Sequence, residues 1–255
     1  MTHPFRNFHS CNNAASAGKT VLRPGGKLAT EQLFSWANFQ PGETVLELAS
    51  GLGTSAIALA KRYGVHVTGI EQDSNRVAIA QHRVRSQGLA HQVNIVQGNI
   101  FELEQISQQF DSVVAEAILT MQSSPGKAKI LQGVYGCLQP GGRFLGHELL
   151  ARDHEAELHQ VLSAVNRVNA TPLSIDHWMT TLAAAGLQTQ HRQTGAMRLL
   201  HLPSLIQDEG LANTLKIFSA IATRPKLRSR VFAMRQVFQT YQQDLGYLIF
   251  AAIKS

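Results

Sequence analysis

A glycine-rich turn with an acid on each side is the part of this sequence best suited to chemistry. The turn contains Gly51 and Gly53, and it joins the apolar run 45–48 to a stretch of small residues with a helical pattern. Glycine lets the backbone approach a bound molecule closely, and a helix that begins after the turn directs free N–H groups at it. Glu47 stands four residues before the first glycine and Glu71 stands 18 residues after the second. The arrangement indicates a site for a nucleotide-containing ligand.

The position of Glu47 separates two classes of ligand. The pattern Gly51-x-Gly53-x-x-Ala56 also fits the dinucleotide fingerprint, in which a pyrophosphate lies over the turn. A carboxylate this close would repel a pyrophosphate, whereas it would attract an ammonium or a sulfonium. S-adenosylmethionine carries both cations, and Glu71 is spaced to bind its ribose. We therefore expect S-adenosylmethionine, with a nicotinamide-dependent oxidoreductase as an alternative.

Short apolar runs alternate with amphipathic stretches of helical length through most of the chain, which predicts a parallel sheet with helices on both faces. Predicted strands cover 43–49, 66–71, 92–98, 110–117 and 142–150, with 188–195 as a candidate sixth strand and 245–254 as the last. Predicted helices cover 29–39, 54–63, 74–87, 125–137, 153–168 and 173–187. Thr30 is the expected N-terminal cap of the first helix.

Residues 196–244, between the last two predicted strands, form a helical insert in our prediction. Two helical stripes of apolar residues occur there, formed by Leu211, Leu215, Phe218 and Ile221 and by Val231, Met234, Phe238 and Tyr241. We predict that the insert is a lid, with ordinary core helices as the alternative. The chain then divides into an N-terminal arm (1–28), a core (29–195 and 245–255) and the lid.

Five stretches, in order, resemble the motifs of the class I S-adenosylmethionine-dependent methyltransferases. They are VLELASGLGTSA (45–56), VTGIEQD (67–73), VQGNI (96–100), FDSVVAEAIL (110–119) and LQPGGRFL (138–145). Within that family the chain is most similar to the small-molecule group that includes the ubiquinone and menaquinone C-methyltransferases, which LRPGGKLAT (22–30) also resembles. The resemblance implies a Rossmann-like, seven-stranded, mostly parallel sheet, S-adenosylmethionine as methyl donor and a small-molecule acceptor.

The resemblance also implies which residues hold the cofactor. The methionine end and part of the ribose would be bound by Glu47 and by the backbone of Ala49, Ser50, Gly51 and Gly53. The ribose hydroxyls would be bound by Glu71. The adenine would be surrounded by Gln72, Asn99 and Ile100, and Glu116 would line the methionine side. Two residues depart from the family pattern. Ala49 replaces the usual first glycine of the turn, and Asn99 stands where an aspartate is common.

Acceptors bind at the carboxyl ends of parallel strands, where we expect Glu116, His147 and Glu148. Methyl transfer is an in-line displacement that depends on positioning and on the exclusion of water, and it needs a general base only for a poorly acidic acceptor. We expect Glu116, or His147 and Glu148 as a pair, to contact the acceptor, with His147 as a candidate base. A structural histidine bonded to backbone is the alternative. Arg23 could orient an anionic group or stabilise its own turn.

Composition narrows the remaining choices. Two cysteines far apart in sequence exclude a disulfide framework, and the histidines lack metal-ligand spacing, so we expect no metal.

The chain has a formal charge of +6, to which a cluster at Arg224–Arg230 contributes; a solvated face or an anion-binding patch would explain it. The sequence has neither an apolar run that could span a membrane nor a signal-peptide pattern, which favours a cytoplasmic protein.

A nucleic-acid acceptor is disfavoured. The stretch AEAILT (115–120) has neither the prolines and aromatic residue of amino-group base methylators nor the cysteine of cytosine-carbon methylators. An RNA methyltransferase and a ligand-binding protein without turnover are the alternatives to a small-molecule methyltransferase. A homodimer is one option for its assembly.

Overall fold

The computed structural model describes residues 23–166, 170–197, 219 and 222–255. The strands are β1 (Thr44–Leu48), β2 (His66–Glu71), β3 (Val93–Gln97), β4 (Phe110–Glu116), β5 (Leu138–Ala151), β6 (Leu187–Ala196) and β7 (Leu245–Lys254). The α-helices are α1 (Gly26–Ala37), α2 (Thr54–Tyr63), α3 (Ser74–Ser86), α4 (Ser124–Cys137), α5 (Glu155–Asn166), α6 (Ile175–Ala184) and α7 (Pro225–Thr240), and two 3₁₀ helices are η1 (Leu103–Gln105) and η2 (Leu119–Met121). Every predicted strand, and every helix predicted before residue 188, is present within a few residues of its expected bounds.

The seven strands form one sheet in the order β3-β2-β1-β4-β5-β7-β6. Strands β1 to β5 pair in parallel, whereas β7 runs antiparallel to both of its neighbours, β5 and β6. In this register Glu47 of β1 lies beside Gly69 of β2 and Val114 of β4. Glu116 of β4 lies beside His147 of β5. The predicted Rossmann-like, mostly parallel sheet is confirmed.

Each face of the sheet carries its own hydrophobic core, because neighbouring side chains on a strand point to opposite faces. Leu46 and Leu48 of β1 pack in the core that α4 and α6 cover. Val45 packs in the other core, with apolar residues of α1, α2 and α3. The same alternation brings Glu47 onto the face of α1 to α3.

Helix α1 begins at Gly26, so the prediction that Thr30 is its N-terminal cap was wrong. Thr30 lies inside the helix and is buried. The segment just before the helix runs close to β7, because a Cβ at Gly25 would lie 2.6 Å from the Cβ of Ala29 and 2.8 Å from the Cγ of Tyr247. Glycine at position 25 therefore lets the segment before α1 pass this close to Ala29 and Tyr247.

Part of the predicted insert lies outside the described residues, including the stripe of Leu211, Leu215, Phe218 and Ile221. Three residues of the second stripe lie in α7, and Tyr241 directly follows that helix. Met234 and Phe238 are buried in a small core with Leu158 and Leu162 of α5. Among the residues that the structure describes, no helix is long and apolar enough to cross a membrane.

Candidate active site

The chain turns between β1 and α2 through three residues with positive φ. Ala49, Gly51 and Gly53 have φ angles of 53°, 55° and 70°. The N–H of Ser50 donates to the carbonyl of Ile70, and the N–H of Gly53 donates to the carbonyl of Ser50, each at 2.8 Å. The left-handed conformation costs a residue with a Cβ about 1–2 kcal/mol. Ala49 therefore adopts a strained conformation at the position where the family usually has glycine.

Strand β2 leaves room for this turn at Gly69. A Cβ at Gly69 would lie 2.8 Å from the side-chain atoms of Ser50 and 2.6 Å from the Cδ1 of Ile95. The hydroxyl oxygen of Ser50 is buried and has no hydrogen-bond partner among the described residues. Because an unpaired buried hydroxyl is unfavourable, the turn presents a polar atom that a bound molecule would stabilise.

Glu71 is buried at the carboxyl end of β2 and contacts the turn directly. Its carboxylate accepts the N–H of Gly51 at 2.9 Å and the N–H of Asp73 at 3.0 Å. Asp73 caps α3 by accepting the N–H groups of Asn75 and Arg76. The predicted ribose-binding acid therefore lies beside the glycine-rich turn, on the adjacent strand.

Glu47 is buried on the α1 to α3 face, and its Oε2 has no hydrogen-bond partner among the described residues. Burial and the charge of Glu116 raise the pKa of Glu47 to about 8, against the opposing effects of the Ser55 hydroxyl, Arg23 and the N–H of Ala56. The side chain is consequently mostly protonated at neutral pH with these neighbours. A cation placed beside it would stabilise the carboxylate form.

Glu116, at the end of β4, is bound from three sides. Its Oε1 lies 2.9 Å from the Nε of Arg23 and accepts the Thr30 hydroxyl at 2.8 Å. Its Oε2 accepts the Ser55 hydroxyl at 2.9 Å, and Arg23 also donates to the Ser55 oxygen at 2.6 Å. These contacts join the segment before α1 to the carboxyl end of β4. Sequence reasoning missed Thr30 and Ser55 here, although Ser55 follows the turn by only two residues.

His147 is fully buried and is linked to Glu116 through Thr30. The Nε2 of His147 accepts the N–H of Gly25 at 2.9 Å, which assigns the ring proton to Nδ1, 3.1 Å from the Thr30 oxygen. Burial and the nearby charge of Arg23 hold the pKa of His147 well below 6.5, so the ring is neutral. Both ring nitrogens are occupied, as in the backbone-bonded alternative, and neither is free to act as a base in this geometry.

Glu148 lies on the opposite face of β5. Its carboxylate accepts the N–H groups of Ile118, Leu119 and Thr120 and the hydroxyl of Thr120, at distances between 2.6 and 3.1 Å. Treating His147 and Glu148 as a pair was therefore a mistake, because adjacent residues of a strand face opposite ways. In this arrangement Glu148 fixes the loop after β4 and does not face the other predicted site residues.

The residues expected around the adenine lie beyond β2 and β3. Gln72 is exposed, and its carbonyl accepts the side-chain amide of Gln97 at 3.2 Å. The amide oxygen of Asn99 accepts the N–H of Phe101 at 3.1 Å, and Ile100 is buried. Asn99 therefore shapes its own loop, and its oxygen retains one lone pair for a ligand.

One group of three metal-capable side chains occurs among the described residues. It consists of Asp153, His154 and Asp244, with His154 and Asp153 exposed and with Nδ1 of His154 3.1 Å from a carboxylate oxygen of Asp244. None of these residues belongs to the cluster around Glu47 and Glu116.

The arrangement of charge and unpaired atoms fits S-adenosylmethionine. A buried acid at Glu47 with a free oxygen suits an ammonium, the turn directs the N–H groups of a helix start towards the same place, and Glu71 lies beside it on the next strand. A pyrophosphate over this turn would lie beside the Glu71 carboxylate and the buried acid Glu47, and neither group would neutralise its charge.

Comparisons with known proteins show the family of the chain. The model of a family described as a methyltransferase domain matches residues 39–186. An uncharacterized protein of Haemophilus influenzae is 35% identical over 96% of both chains, and methyltransferase GfsG of Streptomyces halstedii is 28% identical over 80% of this chain and 78% of its own. The crystal structure of an S-adenosylmethionine-dependent methyltransferase from Thiobacillus denitrificans, in complex with S-adenosylhomocysteine, aligns over 100% of both chains with a TM-score of 0.72 at 19% identity.

The family match spans more than half of the chain, and the H. influenzae relative spans nearly all of it. The seven-stranded, mostly parallel sheet is the one that the resemblance implied. The chain belongs to the methyltransferase-domain family and is a class I S-adenosylmethionine-dependent methyltransferase.

Proposed function

We propose that the carboxyl ends of β1, β2 and β4 bind S-adenosylmethionine with its methionine end at Glu47. The observation that carries this proposal is the buried, unpartnered Oε2 of Glu47 beside the glycine-rich turn. A buried polar atom without a partner is unfavourable, and a buried carboxylate is more so unless a cation pairs with it. The ammonium of the methionine tail supplies both a donor and a charge.

The remaining cofactor contacts in this proposal are those that the family resemblance implies. The methionine and ribose are bordered by the backbone of Ala49, Ser50, Gly51 and Gly53. The ribose hydroxyls are bound by Glu71, and the adenine is bordered by Gln72, Asn99 and Ile100. When bound, the cofactor supplies an electrophilic methyl group on a sulfonium. The protein's part is to hold that group in line with the acceptor and to keep water away.

The acceptor approaches at Glu116 in this proposal. Its carboxylate is partly accessible, with a side-chain exposure of 9%, whereas the His147 side chain is fully buried. The Glu116 carboxylate is held by Arg23, Thr30 and Ser55. The Nδ1–H of the neutral His147 donates in turn to the Thr30 oxygen. Glu116 is therefore the candidate acceptor contact, and His147 is a positioning residue.

Three further features belong to the proposal. Residues 196–244 act as a cover over the acceptor end, the protein works in the cytoplasm, and it has no nucleic-acid substrate. The buried contact of α7 with α5 anchors one end of the cover. A homodimer would be consistent with this arrangement but is not needed to complete the cluster around Glu47.

Calorimetric titration tests the cofactor part of the proposal. S-adenosylhomocysteine should bind the full chain, NAD should not, and Glu47→Gln should weaken S-adenosylhomocysteine by about 10- to 100-fold because it removes a charge-assisted hydrogen bond. Glu104→Gln is the matched control, since Glu104 is exposed on η1. Binding of NAD with no binding of S-adenosylhomocysteine would refute the assignment.

A turnover assay tests the acceptor part. Mass spectrometry of ligands that co-purify with the chain selects the first acceptors, and methyl transfer is then measured over a panel of metabolites. Glu116→Ala should lower turnover at saturating cofactor on any acceptor that reacts. Full turnover by that variant would remove Glu116 from the acceptor site.

A further inference from the structure

We propose that the methionine end of S-adenosylmethionine displaces a proton from Glu47, so that cofactor binding releases a proton to solvent. The inference rests on the proposed function, in which Glu47 faces the ammonium of the cofactor. It adds a chemical step to binding, and it makes Glu47 a residue that selects ligands by the charge of their tail.

The geometry provides two carboxyl groups and one cation to neutralise them. Glu47 and Glu116 lie at the ends of adjacent parallel strands, on the same face of the sheet. Arg23 is committed to Glu116 and to the Ser55 oxygen, at 2.9 and 2.6 Å. Glu47 has no ion-pair partner among the described residues, and its Oε2 has no hydrogen-bond partner. A negative charge on Glu47 is therefore offset only in part, by the charge of Arg23, the Ser55 hydroxyl and the N–H of Ala56.

Within the described part of the chain, Arg23 is the one cation whose charge lowers the pKa of Glu47. Strand β2 presents Gly69 beside it, and α2 presents the Ser55 hydroxyl and the N–H of Ala56. Farther along the sheet, on β5, His147 is neutral because burial and Arg23 keep its pKa well below 6.5. Burial and Glu116 together keep Glu47 protonated at pH 7, since its pKa is about 8.

The proton balance is simple. Before binding, Glu47 is a carboxylic acid and the ligand carries an ammonium. After binding, a carboxylate faces that ammonium as an ion pair, and one proton has passed to the buffer.

The step requires the ammonium, so a ligand without the amino-acid tail should bind without it. S-adenosylhomocysteine has the tail, whereas 5′-methylthioadenosine has the adenosine and a thioether but no ammonium or carboxylate. The first ligand should therefore release about one proton at pH 7 and the second none. Below pH 8 the affinity for S-adenosylhomocysteine should fall about tenfold for each unit of decreasing pH.

Calorimetry at pH 7 in phosphate and in Tris measures the released proton, because the two buffers differ in their heat of ionisation. For the wild-type chain, the heat of S-adenosylhomocysteine binding should differ between buffers by the amount that one proton requires, and the heat of 5′-methylthioadenosine binding should not differ. Glu47→Gln should abolish the difference for S-adenosylhomocysteine. Glu104→Gln, on the exposed η1, should preserve it.

Glu116→Gln is a second variant that keeps Glu47 and removes the neighbouring like charge. It should reduce the number of protons released at pH 7, because Glu47 then ionises more readily before binding. Equal heats in both buffers for wild-type S-adenosylhomocysteine binding would overturn the inference while leaving the cofactor site intact. Undiminished release from Glu47→Gln would assign the proton to another group. Absence of any binding would overturn the proposed function itself.

Discussion

Arg83 holds Leu52, the residue at the tip of the glycine-rich turn. The Nη1 of Arg83 donates to the carbonyl of Leu52 at 2.7 Å and lies 3.2 Å from the hydroxyl oxygen of Thr54. Arg83 comes from α3, which is outside every motif that the sequence analysis used. The turn is therefore held by Glu71 on its N–H side and by Arg83 on its carbonyl side.

Arg83→Met should weaken S-adenosylhomocysteine binding by about two- to tenfold, because a hydrogen bond of this kind contributes about 0.5–1.5 kcal/mol. Calorimetric dissociation constants measure the effect. Arg85→Met is the matched control, since Arg85 is exposed on the same helix. Arg83→Lys should recover part of the affinity; equal dissociation constants for Arg83→Met and the wild type would show that the turn needs no such support.

Ala49→Gly should stabilise the fold by about 0.5–1 kcal/mol. The substitution removes the left-handed strain of a residue with φ of 53°, and this gain exceeds the extra backbone entropy of glycine. Denaturant unfolding measures the change. Ala78→Gly, at an exposed position inside α3, should have the opposite sign and cost about 1 kcal/mol. If both variants were destabilised, Ala49 would not be strained.

Thr30→Val should lower the free energy of unfolding by about 1–3 kcal/mol. The change leaves the buried Nδ1–H of His147 without an acceptor and removes one donor from Glu116. Thr30→Ser keeps the hydroxyl and should stay within about 1 kcal/mol of the wild type. Thermal and denaturant unfolding compare the three proteins, and a valine variant as stable as the wild type would show that the Thr30 hydroxyl does not stabilise the fold.

Glu47 should make the stability of the wild type fall as pH rises. Its pKa is about 8 in the folded chain and near 4.5 when unfolded, so between these values the folded state binds more protons. The contribution is complete below pH 4.5 and is lost as pH rises through 8. Glu47→Gln should therefore gain stability relative to the wild type from pH 5 to pH 8, by roughly 1–4 kcal/mol. A constant difference across that range would contradict the burial of an acid here.

The sequence predicted the elements well because their signals are local. Apolar runs and turn residues determine the strands, and the acids at Glu47 and Glu71 follow from their distance to the turn. The contacts of Glu116 were not predictable in this way, since Arg23, Thr30 and Ser55 meet it across separations of 93, 86 and 61 residues. Glu148 is different: strand alternation alone was enough to separate it from His147.

The strand order also constrains how the chain assembles. Strand β7 follows β6 in sequence, yet it lies between β5 and β6 in the sheet. Strand β6 therefore has no backbone partner in the sheet until residues 245–254 have left the ribosome, and the edge of β5 beside His147 stays open for the same interval. During synthesis, strands β1 to β5, among which the glycine-rich turn lies, can pair first. The sheet beyond β5, on the acceptor side, is completed only after β7 has been made.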